Sequence, residues 1–176
     1  MSDFWKRKMS TYFHRIDFDK DGAITRADFE GMAKRFMETG KLSPDRQADM
    51  LKTLTAVWDK YLSVLGGGNA IQLTQFVESM AKLINDPTMK GVLEGPLPLF
   101  FHCVDSNDDH LIDESEYKKF FEILGLDTSL ATAAFKAIDT NNDGDISLDE
   151  FIEAGTNFFL EQDENCPNSL FWGPLE

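Results

Sequence analysis

Basic residues are the scarce charge in this chain: 17 Lys and Arg stand against 31 Asp and Glu, a formal net charge of −14 over 176 residues. Nucleic acid needs a basic face for its phosphates, and an anionic membrane needs a basic patch, so neither is expected as a partner. No run of 18 apolar residues occurs, which leaves no candidate for a membrane-spanning helix. The opening Met1-Ser2-Asp3-Phe4-Trp5-Lys6 has no hydrophobic signal core and no glycine at position 2, so neither secretion nor N-myristoylation is expected. Cysteine is nearly absent. Cys103 and Cys166 stand far apart without CxxC spacing and read as two reduced thiols rather than a disulfide, in keeping with a cytoplasmic location. Histidine is also sparse: His14, His102 and His110 are scattered and read as surface, helix and turn residues. No Cys–His, Ser–His or paired-acid arrangement stands apart from the acidic loops described next, so no enzyme is expected.

Apolar residues, by contrast, make up 42% of the chain, and 15 of them are Phe. That is enough to build one compact domain or two tightly packed small ones. The acidic excess has two readings, a solubilising surface or acid groups gathered to hold cations, and position decides between them. Three segments share a template of apolar stripe, acidic loop and apolar stripe. The loops run Asp17-Phe18-Asp19-Lys20-Asp21-Gly22-Ala23-Ile24-Thr25-Arg26-Ala27-Asp28, then 105–116 and 139–150. Met9, Tyr12, Phe13 and Ile16 precede the first, and Phe29, Met32, Ala33 and Phe36 follow it. Leu97, Phe100, Phe101 and Val104 lead into the second, and Tyr117, Phe120, Phe121 and Leu124 lead out. Ala131, Ala134, Phe135 and Ile138 flank the last, with Phe151, Ala154, Gly155 and Phe158 beyond it. Spacings of three and four put each set on one helical face, where it reads as core.

A calcium ion takes six to eight oxygens, and a loop of about 12 residues supplies them from positions 1, 3, 5, 7, 9 and 12. The segment 139–150 meets D-x-[DN]-x-[DN]-G-x5-E in full. Its side-chain ligands would be Asp139, Asn141, Asp143 and Glu150, with the Asp145 carbonyl and a water held by Ser147. In the first loop the set is Asp17, Asp19, Asp21, the Ala23 carbonyl and Asp28. Asp28 is one methylene shorter than the usual closing Glu, which suits one-oxygen contact and tolerance of magnesium. In the loop 105–116 the set is Asp105, Asn107, Asp109, the Leu111 carbonyl and Glu116, with Asp113 a further carboxylate. There His110 replaces the turn glycine, and His is among the residues that tolerate the left-handed conformation. Position 8 is Ile24, Ile112 or Ile146, which predicts a short strand pairing with a neighbouring loop.

Such loops pair, and a fourth unit is visible between the first two. Trp58, Tyr61, Leu62 and Leu65 form an entering stripe, and Phe76, Met80 and Leu83 an exiting one. The stretch 66–75 between them has no carboxylate, so it holds no hard cation; Ile71 can still supply a pairing strand. G-x-x-x-x-G-K-[ST] is absent, so the glycines are not a phosphate loop. The expected architecture is all-α, four helix-loop-helix units in two pairs forming one compact unit with small two-stranded pairings between loops. Residues 1–86 form the first pair, 87–98 a helix-breaking connection rich in Pro and Gly, and 99–160 the second pair. Residues 161–176 form a tail packing back on the core, with an external binding motif as the rival reading of its Leu170-Phe171-Trp172. All seven methionines precede residue 90, which weighs against a methionine-rich groove for target helices.

Four units with the second silent, together with Tyr12-Phe13-His14-Arg15-Ile16-Asp17, Glu94-Gly95-Pro96-Leu97-Pro98-Leu99-Phe100-Phe101 and Phe171-Trp172-Gly173-Pro174-Leu175, resemble the invertebrate sarcoplasmic calcium-binding proteins of the EF-hand superfamily. The likeness covers the whole chain and is close to the annelid worm members. It implies a cytosolic buffer of muscle and nerve whose sites also accept magnesium; the expectation is three Ca2+ sites, with Mg2+ competing at some of them, on a monomer without an obligate protein partner. A Ca2+ sensor gripping a target protein and a luciferin-binding or photoprotein relative are the alternatives. Photoproteins have a histidine late in the last helical region and end on proline; here the last histidine is His110 and the last residue Glu176.

Overall fold

The computed structural model describes residues 1–40, 42–66, 68–86, 91 and 94–176. Helix α1 (Asp3–Ile16) starts where Ser2 accepts the Trp5 N–H on its hydroxyl, and it runs into the first acidic loop. Strand β1 (Ala23–Thr25) leads to α2 (Arg26–Gly40). Helix α3 (Pro44–Val57) opens with Ser43 as N-cap and proline in its first turn, where the missing N–H costs nothing.

The stripe around Trp58 departs from a regular helix. Residues Trp58–Leu62 are π-helical, with the Ser63 N–H bonded to the Trp58 carbonyl five residues back, before α4 (Ser63–Gly66). The wider turn leaves Trp58 and Leu62 buried and Tyr61 and Leu65 half-buried. Strand β2 (Ala70–Gln72) and α5 (Leu73–Ile84) complete the first half.

The second half contains α6 (Leu97–Val104), β3 (Leu111–Asp113), α7 (Glu114–Ile123), α8 (Ala131–Ile138), β4 (Asp145–Ser147) and α9 (Leu148–Leu160). A single 3-10 turn, Thr128–Leu130, precedes α8. In the connection, Pro87 and residues 88–90, 92 and 93 lie outside the described residues. The described part differs from a plain break. Gly91 and Glu94 are helical, and the Gly95 N–H donates to the Gly91 carbonyl at 2.9 Å. Pro98 sits inside the first turn of α6, a position that needs no N–H.

Each half is tied by one antiparallel strand pair. Ile24 opposes Ile71, and Ile112 opposes Ile146; all four are fully buried. The apolar stripes of both halves merge in one continuous core. The molecule is therefore all-α apart from two small two-stranded sheets.

Leu170, Phe171, Trp172 and Leu175 pack into or against that core. Phe171 and Trp172 are buried, Trp172 among the rings of Tyr12, Phe100 and Phe120. The Tyr117 hydroxyl donates to the Phe171 carbonyl at 2.9 Å, and burial raises that phenol's pKa. Arg15 donates through Nε to the Trp172 carbonyl at 3.1 Å and through an η nitrogen to the Pro174 carbonyl at 2.9 Å. Cys103 and Cys166 are free and buried, and burial pushes the Cys103 thiol up. Among the described residues no helix is long and apolar enough to cross a membrane.

Candidate metal centres

In the first loop α1 ends at Asp17, whose N–H still bonds to the Phe13 carbonyl at 2.8 Å and so carries the helix into position 1. Asp17 is 3% exposed; Oδ2 accepts the Gly22 N–H at 3.1 Å, while Oδ1 is buried and has no partner. Asp19 accepts the Asp21 N–H at 3.1 Å, and Asp21 accepts the Ala23 N–H at 2.9 Å. These turns converge three carboxylates: single oxygens of Asp17, Asp19 and Asp21 lie within 4.8 Å of one another. Asp28 approaches from the far end of the loop, fully buried. Its Oδ1 accepts the Phe18 and Asp19 N–H groups at 2.8 and 3.2 Å, and its Oδ2 the Thr25 N–H at 2.7 Å.

The loop 105–116 repeats this plan. Asp105 is 1% exposed; Oδ2 accepts the His110 N–H at 3.1 Å, and Oδ1 is again buried without a partner. Asn107 accepts the Asp109 N–H and Asp109 the Leu111 N–H, at 2.9 and 3.0 Å. Glu116 takes the Ser106 N–H on Oε1 at 2.9 Å and the Asp113 N–H on Oε2 at 3.2 Å. The Asp113 carboxylate caps α7 by accepting the Glu116 N–H at 2.8 Å, closing a capping box.

In the loop 139–150, Asp139 accepts the Asp143 and Gly144 N–H groups at 3.2 and 3.1 Å, so both of its oxygens are used. Asn141 accepts from Asp143 and Asp143 from Asp145, at 2.8 and 3.1 Å. Glu150 Oε1 accepts the Thr140 and Asn141 N–H groups, and Oε2 the Ser147 N–H and hydroxyl. Ser147, expected to hold a water, thus takes part in a capping box with Glu150.

The backbone explains the turn chemistry. Position 6 has positive φ in all three loops: +91° at Gly22, +68° at His110 and +96° at Gly144. Position 4 does as well, at Lys20, Asp108 and Asn142, with φ of 62°, 61° and 58°. Sequence reasoning missed that second left-handed site. Asp and Asn at position 4 are a usable signal for it, because they tolerate this region, whereas Lys20 is not.

Around the silent loop, Asp59 lies outside the 66–75 stretch and pairs with Arg26 at 3.3 Å. Gly67 falls outside the described residues.

Charge is crowded between the second and third acidic loops, where strand pairing sets Asp113 opposite Asp145. Desolvation, with Asp143, Asp109, Asp113 and Asp139 nearby, raises the Asp145 carboxyl above its usual range. At Glu150 desolvation works the same way, but hydrogen bonds from Ser147, Thr140 and Asn141 outweigh it and lower the pKa. An all-oxygen donor set with two orphaned, buried carboxylate oxygens fits a hard divalent cation. The loops 17–28, 105–116 and 139–150 contain no Cys or Met.

Arg46 reaches the second acidic loop from a distant helix, and no local signal marks it: its Nη2 donates to the Asp105 carbonyl at 2.6 Å.

Comparison with known proteins agrees with this geometry. A family model described as an EF-hand domain pair matches residues 1–35, and one described as an EF hand matches residues 130–153. Sarcoplasmic calcium-binding proteins of Perinereis vancaurica tetradentata and Hediste diversicolor are each 52% identical over 174 residues, covering 99% of this chain and 99% of theirs. The crystal structure of a coelenterazine-binding protein from Renilla muelleri superposes with a TM-score of 0.83 at 26% identity, covering 99% of this chain and 100% of that one.

Proposed function

The chain belongs to the sarcoplasmic calcium-binding proteins of the EF-hand superfamily, and on that premise we propose that it is a cytoplasmic Ca2+ buffer with three cation loops and one silent one. Its relatives carry the name of binding proteins, and it is not an enzyme. The ligands are Asp17, Asp19, Asp21, Ala23 and Asp28; Asp105, Asn107, Asp109, Leu111 and Glu116; and Asp139, Asn141, Asp143, Asp145 and Glu150. The alanine, the leucine and Asp145 act through their carbonyls. Residues 1–86 and 99–160 are the two paired halves, joined by 87–98.

The observation that carries this reading is the pair of buried, unpartnered oxygens, Asp17 Oδ1 and Asp105 Oδ1. A buried charged acceptor without a partner costs at least about 1–3 kcal/mol, and a cation supplies the missing partner. Three bound divalent ions would bring the formal charge from −14 to −8, so release of repulsion adds to the coupling between binding and folding. Mg2+ would occupy some of the sites at rest and yield slowly to Ca2+, which makes the protein a delayed sink.

Buffering is favoured over target binding by the tail. Phe171 and Trp172 are buried in the core rather than offered to a partner, and Arg15 and Tyr117 hold them there. The same packing speaks against a chromophore carrier, because the cavity lined by Tyr12, Phe100 and Trp172 has a volume of only ≈ 20 Å³, room for one water. The test is a calcium titration with and without millimolar-range magnesium, read by calorimetry and by an apolar-surface dye. Three sites, magnesium competition and no new dye signal are expected. A large dye response, or fewer than three sites, would overturn the proposal.

A further inference from the structure

We propose that Arg46 is a positioning residue for the cation loop 105–116, through which a helix of the first half sets the affinity of a site in the second. The inference rests on reading that loop as a cation site. Arg46 lies in the first turn of α3, where Ser43 caps its own N–H. A cation there opposes the helix dipole, so its placement is not explained by helix stability.

Its guanidinium instead reaches α6, which leads directly into Asp105. One η nitrogen donates to the carbonyls of His102 and Asp105 at 3.0 and 2.6 Å. The other lies 2.8 Å from the His102 ring and 3.2 Å from the Asp108 carboxylate. These carbonyls belong to the last turn of α6 and its C-cap, the end of a helix that favours positive charge. With its side chain only 14% exposed, Arg46 is shielded from the solvent competition that weakens surface pairs.

The geometry therefore fixes both ends of one short segment. Position 1 is held by its carbonyl and position 4 by its carboxylate, from the same planar fork. Asp105 Oδ1, the orphaned oxygen, is carried on that fixed backbone. A loop already held in shape gives up less conformational freedom on taking a cation. By linkage, a cation in this loop must in turn tighten the contact with α3.

The experiment is a calcium titration of the full chain followed by amide NMR. The position 6 amides report each loop separately, because the Gly22, His110 and Gly144 N–H groups bond to the position 1 carboxylates. In Arg46→Gln the His110 transition should move to about tenfold higher calcium, the order of a modest inter-site coupling, while the Gly22 transition stays in place. Arg46→Lys keeps the charge but loses the fork, and should fall between Arg46→Gln and wild type. Calcium should also slow amide exchange in residues 44–57 of the wild type and not of Arg46→Gln.

A His110 transition in Arg46→Gln at the wild-type calcium concentration would overturn the positioning role while leaving the three-site reading intact. So would a shift to lower calcium, which would mean that the arginine acts by repulsion. A wild-type His110 amide indifferent to calcium would overturn both readings together.

Discussion

Trp172→Ala probes the tail directly. Trp172 is fully buried, with ring centroids 4.9 Å from Tyr12, 5.0 Å from Phe100, 5.7 Å from Phe120 and 5.4 Å from Phe171. Truncating such a side chain to alanine costs about 3–5 kcal/mol in lost burial and cavity formation. Part of that is offset, because the indole Nε1 is buried without a partner, a burden of about 1–3 kcal/mol that the substitution removes. The bond from Arg15 to the Trp172 carbonyl belongs to the backbone and survives. The net loss should be about 2 kcal/mol. Trp172→Phe keeps most of the aromatic contact and discards the orphaned N–H, so it should stay within about 1 kcal/mol of wild type. The assay is urea unfolding in chelating buffer, which removes cation linkage, followed by far-UV circular dichroism. A Trp172→Ala loss below about 1 kcal/mol would refute the view that this ring seals the core. A Trp172→Phe loss equal to that of alanine would refute the offset from Nε1.

Asp28→Glu should raise calcium preference over magnesium at the first loop in paired calorimetric titrations; unchanged selectivity would sink that claim. Because Asp28 is already fully buried and holds three backbone N–H groups, the added methylene should also destabilise the metal-free protein by about 1 kcal/mol in chemical denaturation. His110→Gly should raise metal-free stability by up to about 1 kcal/mol in thermal melts, since the exposed histidine holds a left-handed φ of 68°. Glu176→Gln tests the pairing of the Glu176 carboxylate with Arg15 and with His14, the latter at 2.9 Å. Desolvation raises the Glu176 carboxyl, but the hydrogen bond and charge of Arg15, helped by His14, win and leave it lowered from 4.5. A lowered folded-state pKa gives stability that is present above the unfolded value and lost as pH falls through the folded one. The stability gap between wild type and Glu176→Gln should therefore be open at neutral pH and close below about pH 4.5, and a gap that widens on acidification would contradict the assignment. Half of the side chain is exposed, so the gap should stay below about 1 kcal/mol.

The sequence by itself determined the helical class and the places where helices meet acidic loops. Those features are local: stripes at three and four spacing, a turn at position 6, an isoleucine at position 8. Each is settled within about a dozen residues, and Ile24 and Ile112 pair with Ile71 and Ile146 because each strand's register follows from its own loop. Local pattern did not reach the π-helical turn at Trp58–Leu62, because an extra residue in a turn leaves the same apolar residues in the same order. It also overstated the break before α6, since the effect of Pro98 depends on where the helix starts.

Only the tertiary structure decided what the loops and the tail touch. Asp17, Asp105 and Asp139 are all buried, yet the first two each leave one oxygen without a partner while Asp139 uses both, a difference set by loop geometry in three dimensions. Arg46 meets Asp105 across 59 residues of chain, and Tyr117 meets Phe171 across 54. Contacts of that separation leave no periodicity, because they arise from the way two separately patterned halves are brought together. The cation loops can be read along the chain; the clamps on them exist only in three dimensions.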